Sequence, residues 1–321
     1  MTVLSEKIKV GLIGMGAIGE RVLRQFQQHN EIDIAALCDR NADSLNKFKD
    51  ELPNVSLYLD HLDMLKDESI QLIYVGVPPK FHHKIAIDVI RNGRHLLCEK
   101  PLANSTEEAL EMVEEAEKAN IVHAMNFPMV YSQAFQVFKN KIMDGELGSV
   151  KKIELNLHFT EWPRKWQQNE WISSREQGGF IREVAPHFIQ IIHDVFGEMS
   201  IVRSSVEYPE NEDLCETSFI SSMKLSGGIP VLFNGLAGIG QQEHLSLKVF
   251  GDQGTLEIEN WGILSQTRAN DNGSIIPVDS VDKENVVDEL VKAIKGDSAK
   301  LVSFKEGYAV QKVLDEILLA K

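Results

Sequence analysis

Cysteine is scarce: Cys38, Cys98 and Cys215 are the only three, far apart and without a Cys-x-x-Cys pair. That count excludes a disulfide framework and a cysteine-rich zinc site, and it fits a reducing cytoplasm. Long apolar runs are also missing. No stretch approaches the roughly 18–20 residues that a membrane helix needs, and the first residues lead into a strand-like segment with no signal-peptide pattern. Positive charge is in short supply, with 33 Lys and Arg against 48 Asp and Glu and a net charge of −15. Such a field repels nucleic-acid phosphates and anionic lipid. Only 10 prolines and 22 glycines in 321 residues exclude a disordered or collagenous chain. The expectation is a cytoplasmic globular protein with neither a nucleic-acid nor a membrane partner.

What is present points to two domains. From Lys7 to about Met125, short Val/Ile/Leu runs alternate with amphipathic stretches: Ile8 to Ile13, Ala17 to His29, Ile32 to Cys38, Ala42 to Glu51, Ile70 to Val77, Phe81 to Asn92, His95 to Cys98, Thr106 to Asn120 and Ile121 to Met125. Uninterrupted apolar strands separated by helices predict a parallel, doubly wound α/β sheet over residues 1–125. Residues 126–321 read as an α+β domain with a large, mostly antiparallel open sheet. There, strand-length segments from Val150 and from Ile201 to about Gln266 follow a helix over Ser132 to Asp144 and one over Pro186 to Phe196. A polar loop over Asn270 to Ser280 and closing helices over Lys283 to Lys295 and Phe304 to Ala320 complete the pattern.

Gly14-Met15-Gly16-Ala17-Ile18-Gly19 follows an apolar strand and opens a helix, the context in which G-x-G-x-x-G predicts dinucleotide binding. Gly14 serves the tight turn, Gly16 lets the backbone approach a pyrophosphate at the helix N-terminus, and Gly19 allows close helix–strand packing. Asp39 stands twenty residues after Gly19, the spacing of an acidic ribose ligand. Its charge disfavours a 2′-phosphate whereas the adjacent Arg40 could pair with one, so NAD is expected and NADP stays open.

Val77-Pro78-Pro79-Lys80-Phe81-His82 and Glu99-Lys100-Pro101 resemble motifs of the Gfo/Idh/MocA family of NAD(P)-dependent oxidoreductases. The resemblance continues through Gly145-Glu146-Leu147-Gly148, Gly178-Gly179, Glu183 and His187 to Ser303-Phe304-Lys305-Glu306-Gly307-Tyr308. It implies a Rossmann first domain and hydride transfer between nicotinamide and a secondary alcohol or ketone of a sugar, cyclitol or related polyol. Lys100 and His187 are the implied proton-handling residues, tuned by Glu183. Pro78, His82, Glu99 and Asn126 are implied around the cofactor, and pairing into a homodimer or homotetramer through the second sheet is implied as well. This chain departs from the family pattern at Glu183, where an Asp is usual. It departs also at Pro79 (usually Asn), at Gln190 (usually an acid), and at Phe127-Pro128-Met129, where a basic residue is usual. Relatives that sense dinucleotide without turnover, or cleave glycosides by transient oxidation, leave those two activities as alternatives.

Three of the four tryptophans, Trp162, Trp166 and Trp171, fall within ten residues. Aromatic faces stack on sugar rings and Arg164 can bind hydroxyl or anionic groups, so Trp162, Trp166 and Arg164 are expected substrate ligands, and the family resemblance implies Gln190 as a further one. A tryptophan-anchored loop or subunit contact is the alternative for that segment. His193-Asp194 lacks the further ligands of a metal site, and no metal is expected.

Overall fold

The computed structural model describes residues 7–167, 169–270, 272–278 and 285–319. The chain divides into two units, Met1–Asn126 with Glu284–Tyr308, and Phe127–Lys283 with Ala309–Lys321.

The first unit is built on apolar runs too short for helices and too continuous for half-exposed strands. Six strands, β1 (Ile8–Ile13), β2 (Ile32–Cys38), β3 (Ser56–Tyr58), β4 (Leu72–Val75), β5 (His95–Cys98) and β6 (His123–Met125), form one sheet. Their order is β3-β2-β1-β4-β5-β6 and every pair is parallel. All four residues of β4 are buried. The crossovers are α1 (Ala17–Gln28), α2 (Ala42–Asn46), α3 (His61–Met64), α4 (His82–Arg91) and α5 (Thr106–Ala119). Helix α1 buries Gly19, Val22, Leu23 and Phe26, the i, i+3, i+4, i+7 face that its sequence spaces out. Ser105 caps α5 by accepting the Glu108 N–H, and Asn120, at φ 52°, ends it.

The strand order reverses between β1 and β4, so the crevice that open α/β sheets offer a ligand lies at the C-terminal ends of these strands. Two expectations are corrected here. The amphipathic stretch Ala42 to Glu51 is helical only to Asn46 and then continues as turns, and the sequence reading passed over β3 and α3.

The second unit carries α6 (Gln133–Met143), β7 (Val150–Phe159), α7 (Phe180–Glu183), α8 (Ala185–Phe196), β8 (Met199–Glu207), β9 (Ser218–Leu225), β10 (Pro230–Ala237), β11 (His244–Gly251), β12 (Thr255–Glu259), β13 (Ile263–Thr267) and β14 (Ser274–Ile275). The sheet order is β14-β13-β12-β11-β7-β10-β9-β8, antiparallel throughout except for the β7–β10 pair. Along β7, Ile153, Leu155, Leu157 and Phe159 are buried on one face, each contributing about 1.5–3 kcal/mol. The expected polar loop after Asn270 contains β14, paired with β13; residues 271, 279 and 280 of that expectation lie outside the described residues.

Helix α9 (Val286–Ile294) starts at a capping box made by Asn285 and Asp288, three residues later than expected from Lys283, which is itself outside the described residues. Helix α10 (Phe304–Leu319) closes the chain; Ala320, the expected end, is also outside them.

Candidate active site

The glycine turn fits the group that its pattern predicts. Gly14 leaves β1 at φ +95°, and a Cβ built there would lie 2.3 Å from the Gly76 carbonyl oxygen. A Cβ on Gly19 would lie 1.9 Å from the Gly14 oxygen, so α1 can approach the turn only with glycine at that position. Gly16 is different: nothing lies within 4 Å of its Cβ position, and as the N-cap of α1 it makes no side-chain capping bond. Gly16, Ala17 and Ile18 are exposed, leaving a helix N-terminus open to an anion. Asp39 is tied to the same turn, its Oδ2 accepting the Met15 N–H at 2.7 Å and its Oδ1 the Asn41 N–H at 2.8 Å. Arg40 beside it is exposed.

At the ends of β4 to β6 a buried carboxylate organises its neighbours. Glu99 Oε1 accepts from the Tyr74 hydroxyl (3.1 Å) and Asn126 Nδ2 (2.5 Å), while Oε2 accepts the Lys100 N–H (3.3 Å). Burial raises the Glu99 pKa, opposed by the Lys100 charge and by the bonds from Asn126 and Tyr74. Burial, then the Glu99 charge, raises the Tyr74 phenol well above its ordinary value. The Asn126 Oδ1 is buried and accepts no hydrogen bond, which leaves an acceptor of the kind that a carboxamide N–H would satisfy. Lys100 itself is half-buried. Glu99, expected as a cofactor ligand, has its carboxylate directed to these three donors instead.

His82 also differs from expectation. It is 0% exposed, with Nδ1 2.8 Å from the Pro101 carbonyl oxygen and Nε2 2.7 Å from that of Val77. Burial lowers its pKa, and the two carbonyls oppose the shift. With both ring nitrogens on the main chain, His82 offers a cofactor no atom; it straps the turn after β4 to the turn after Lys100. Pro78, half-buried, precedes the short 3₁₀ turn Pro79–Phe81, in which Pro79 fills the position where the family usually has Asn.

In the second unit, Pro186 near the start of α8 explains why Glu183 and His187 do not share one helix. Glu183 ends α7, Val184 intervenes, and α8 begins at Ala185. Both side chains are half-buried. The His187 ring stands edge-on to Phe127 (centroids 5.8 Å apart) and to Trp261 (5.5 Å). Phe127, standing where the family usually has a basic segment, thus gives the imidazole an apolar wall. Trp261, which the sequence reading did not select, sits at φ 75° in the turn joining β12 to β13 and also stacks on Phe188. The Asn260-Trp261-Gly262 turn was the available signal. Gln190, one helical turn after His187, is 2% exposed and its Oε1 accepts no bond.

The tryptophan segment is anchored to its own unit. Trp162 packs against Phe159 and Phe180, and its indole N–H donates to the Ile172 carbonyl at 3.3 Å. Arg164 forms two 2.8 Å bonds to Glu243 and lies over the Phe159 and Trp162 rings. Trp162 and Arg164, expected as substrate ligands, hold the loop through indole and guanidinium. Trp166 is 60% exposed. Among the described residues no group of three or more His, Cys, Asp and Glu is arranged to hold a metal ion.

Residues 8–127 match the model of an oxidoreductase family with an NAD-binding Rossmann fold, and residues 139–321 match that family's C-terminal alpha/beta domain. The chain belongs to the Gfo/Idh/MocA oxidoreductase family. A myo-inositol 2-dehydrogenase of Thermotoga maritima is 21% identical over 96% of this chain and 97% of that protein. An uncharacterized oxidoreductase of Schizosaccharomyces pombe is 28% identical over 56% of this chain; the chain spans about half the length of such curated relatives. The fold is that of the WlbA dehydrogenase from Bordetella pertussis, solved with NADH and UDP-GlcNAcA. That likeness has a TM-score of 0.84 at 20% identity and covers 97% of this chain and 95% of that one.

Proposed function

We propose that this family member is an NAD-dependent oxidoreductase that moves a hydride between nicotinamide and a carbinol carbon of a sugar, cyclitol or related polyol. The observation that carries the reading is the open, uncapped N-terminus of α1 with Asp39 tied onto the same turn. The activities in its relatives' names, on myo-inositol among others, support the substrate class. When bound, the dinucleotide supplies two-electron hydride chemistry. The N–H groups from Gly16 to Gly19 hold its pyrophosphate, the Asp39 carboxylate its adenosine ribose, and Asn126 Oδ1 its carboxamide.

His187 takes the proton from the carbinol oxygen during oxidation and returns it during reduction, as an imidazole suits near neutral pH. The Lys100 ammonium steadies negative charge on a substrate oxygen. Glu183 orients the imidazole, and Gln190 offers its carbonyl to a second hydroxyl. The same reading has the protein in the cytoplasm and paired as a homo-oligomer through the second sheet. The exposed Ile220, at 58% on β9, supports the pairing.

Calorimetric titration with NADH and NADPH, then a screen of inositols, glycosides and nucleotide sugars for NADH formation with Lys100→Met as control, tests the proposal. NADH binding with Lys100-dependent turnover is the expected result. Failure to bind either nucleotide overturns it; binding without turnover favours a sensor, and sugar release without net NADH favours a glycosidase.

A further inference from the structure

Glu216 is a buried acid outside the candidate active site. It is 2% exposed, yet its carboxylate is deep among main-chain groups: Oε1 accepts the Ile181 N–H at 2.7 Å from 35 residues away in sequence. The Phe180 N–H nearby also favours the charged carboxylate. These are first-turn N–H groups of α7, whose N-cap, Gly179, makes no side-chain capping bond. Gly179 sits at φ +93°, and a Cβ there would lie 2.1 Å from Glu216 Oε2. A residue distant in sequence thus caps this helix, and glycine at 179 makes room for it.

The chain is arranged to deliver that carboxylate. Ser174 bridges to Leu214, the Arg175 N–H donates to the Asp213 carbonyl (2.8 Å), and the Cys215 N–H donates to the Ser173 carbonyl (2.8 Å). Residues 213–215 are therefore paired to 173–175, and the next residue, Glu216, reaches α7. From there the backbone bonds Glu183 N–H to Gly179 O (3.0 Å), Val184 N–H to Phe180 O (2.9 Å) and His187 N–H to Val184 O (3.3 Å) lead into α8.

We propose that Glu216 is a positioning residue: its carboxylate fixes the first turn of α7 and thereby the placement of Glu183 and His187. The inference rests on the proposed roles of those two side chains. Burial lifts the Glu216 pKa to about 7, opposed by its backbone bonds and by the Arg182 charge, so holding the carboxylate here costs the fold stability. A carboxylate kept at such a cost, where an apolar side chain would pack without one, fits a role other than stability.

Glu216→Gln separates the two roles. The amide carbonyl can still accept the Ile181 N–H, but its NH₂ stands toward the Phe180 N–H and the buried charge that favours both is removed, so the cap is weakened. Three measurements on the full-length protein are compared for wild type, Glu216→Gln and Glu216→Leu. They are hydrogen exchange of the segment spanning residues 178–190, the His187 Cε1–H NMR signal assigned with His187→Gln, and thermal unfolding.

The expected result for Glu216→Gln is roughly tenfold faster exchange confined to that segment, a displaced His187 signal, and a midpoint no lower than wild type. Glu216→Leu gives the larger exchange change. With whichever substrate the screen identifies, kcat falls about tenfold while the Kd for NADH, held by the other unit, stays unchanged. Unaltered exchange and an unaltered His187 signal overturn the proposal, as does a loss spread evenly over exchange, midpoint and NADH affinity. Exchange and NMR decide it even if no substrate is found, which would count against the dehydrogenase reading alone.

Discussion

Asn126 donates its amide N–H to Glu99 Oε1 at 2.5 Å, and this bond turns the opposite side of the same amide, Oδ1, into a buried acceptor with nothing to accept. The carboxylate can only accept, so it dictates which way the amide faces. Asn126→Leu is expected to weaken NADH binding roughly five- to tenfold, the worth of one buried hydrogen bond. An acetylpyridine analogue, which lacks the carboxamide N–H, should bind wild type and variant alike. Calorimetry with both nucleotides checks this, and equal losses for the two would remove Asn126 from the carboxamide.

Two glycines three residues apart in the same motif, Gly16 and Gly19, should behave in opposite ways. Gly19→Ala forces a Cβ to 1.9 Å from the Gly14 oxygen and should cost about 1–3 kcal/mol or more in chemical unfolding. Gly16→Ala meets nothing within 4 Å and should cost no more than about 1 kcal/mol, the preference for glycine over alanine at an N-cap. Its methyl group nevertheless stands where the pyrophosphate approaches, so NADH affinity should fall at least tenfold, roughly the loss of one charge-assisted bond. Unaltered NADH affinity in Gly16→Ala would place the dinucleotide elsewhere.

Asp39 is held on two backbone N–H groups, so its charge is fixed at the end of β2. Asp39→Ser removes that charge and leaves exposed Arg40 to meet a 2′-phosphate. The ratio of NADH to NADPH affinities should move toward NADPH by roughly tenfold or more. Titration of both nucleotides reads the ratio directly, and no movement would take Asp39 off the ribose.

His193 sets an acid limit on stability. Burial pulls its pKa from 6.5 down to about 4, with the Glu198 charge opposing and the Lys312 charge adding to the shift. Between those values the unfolded chain binds a proton that the folded chain refuses, so stability falls as pH drops from 6.5 toward 4. The full effect is on the order of 3 kcal/mol. His193→Gln keeps an acceptor for the Met199 N–H, which now donates to Nε2 at 3.4 Å. Urea unfolding at several pH values should show a shallower acid slope for the variant; parallel slopes would shift the effect to other histidines.

The first sheet was legible because its strands are continuous apolar runs and its cofactor turn is a contiguous motif, whose function depends on local backbone shape. The residues that escaped are those whose role is set by distant partners. Tyr74 reads as one more apolar strand residue until the Glu99 carboxylate is found beside it. Trp261 reads as turn chemistry until His187 is found against it. Glu216 sits in a segment that periodicity assigns to a strand, with nothing local to mark it as a cap for residues 35 positions earlier. Conversely, the spacing that clusters Trp162 with Arg164 cannot register that Glu243 already pairs with the guanidinium.

The return of Glu284–Tyr308 to the unit begun by Met1–Asn126 has a consequence for synthesis. The Met125 N–H finds its acceptor in the Val302 carbonyl (2.8 Å), and the His123 ring packs on Phe304 at 4.8 Å. When Asn126 leaves the ribosome, the sheet edge at β6 has yet to receive these partners, and Phe127–Lys283 of the other unit is made before they arrive. The cofactor unit, started first, is thus closed only after most of the other unit has been made, and a fragment stopped at Asn126 carries the complete glycine turn on an incomplete sheet edge.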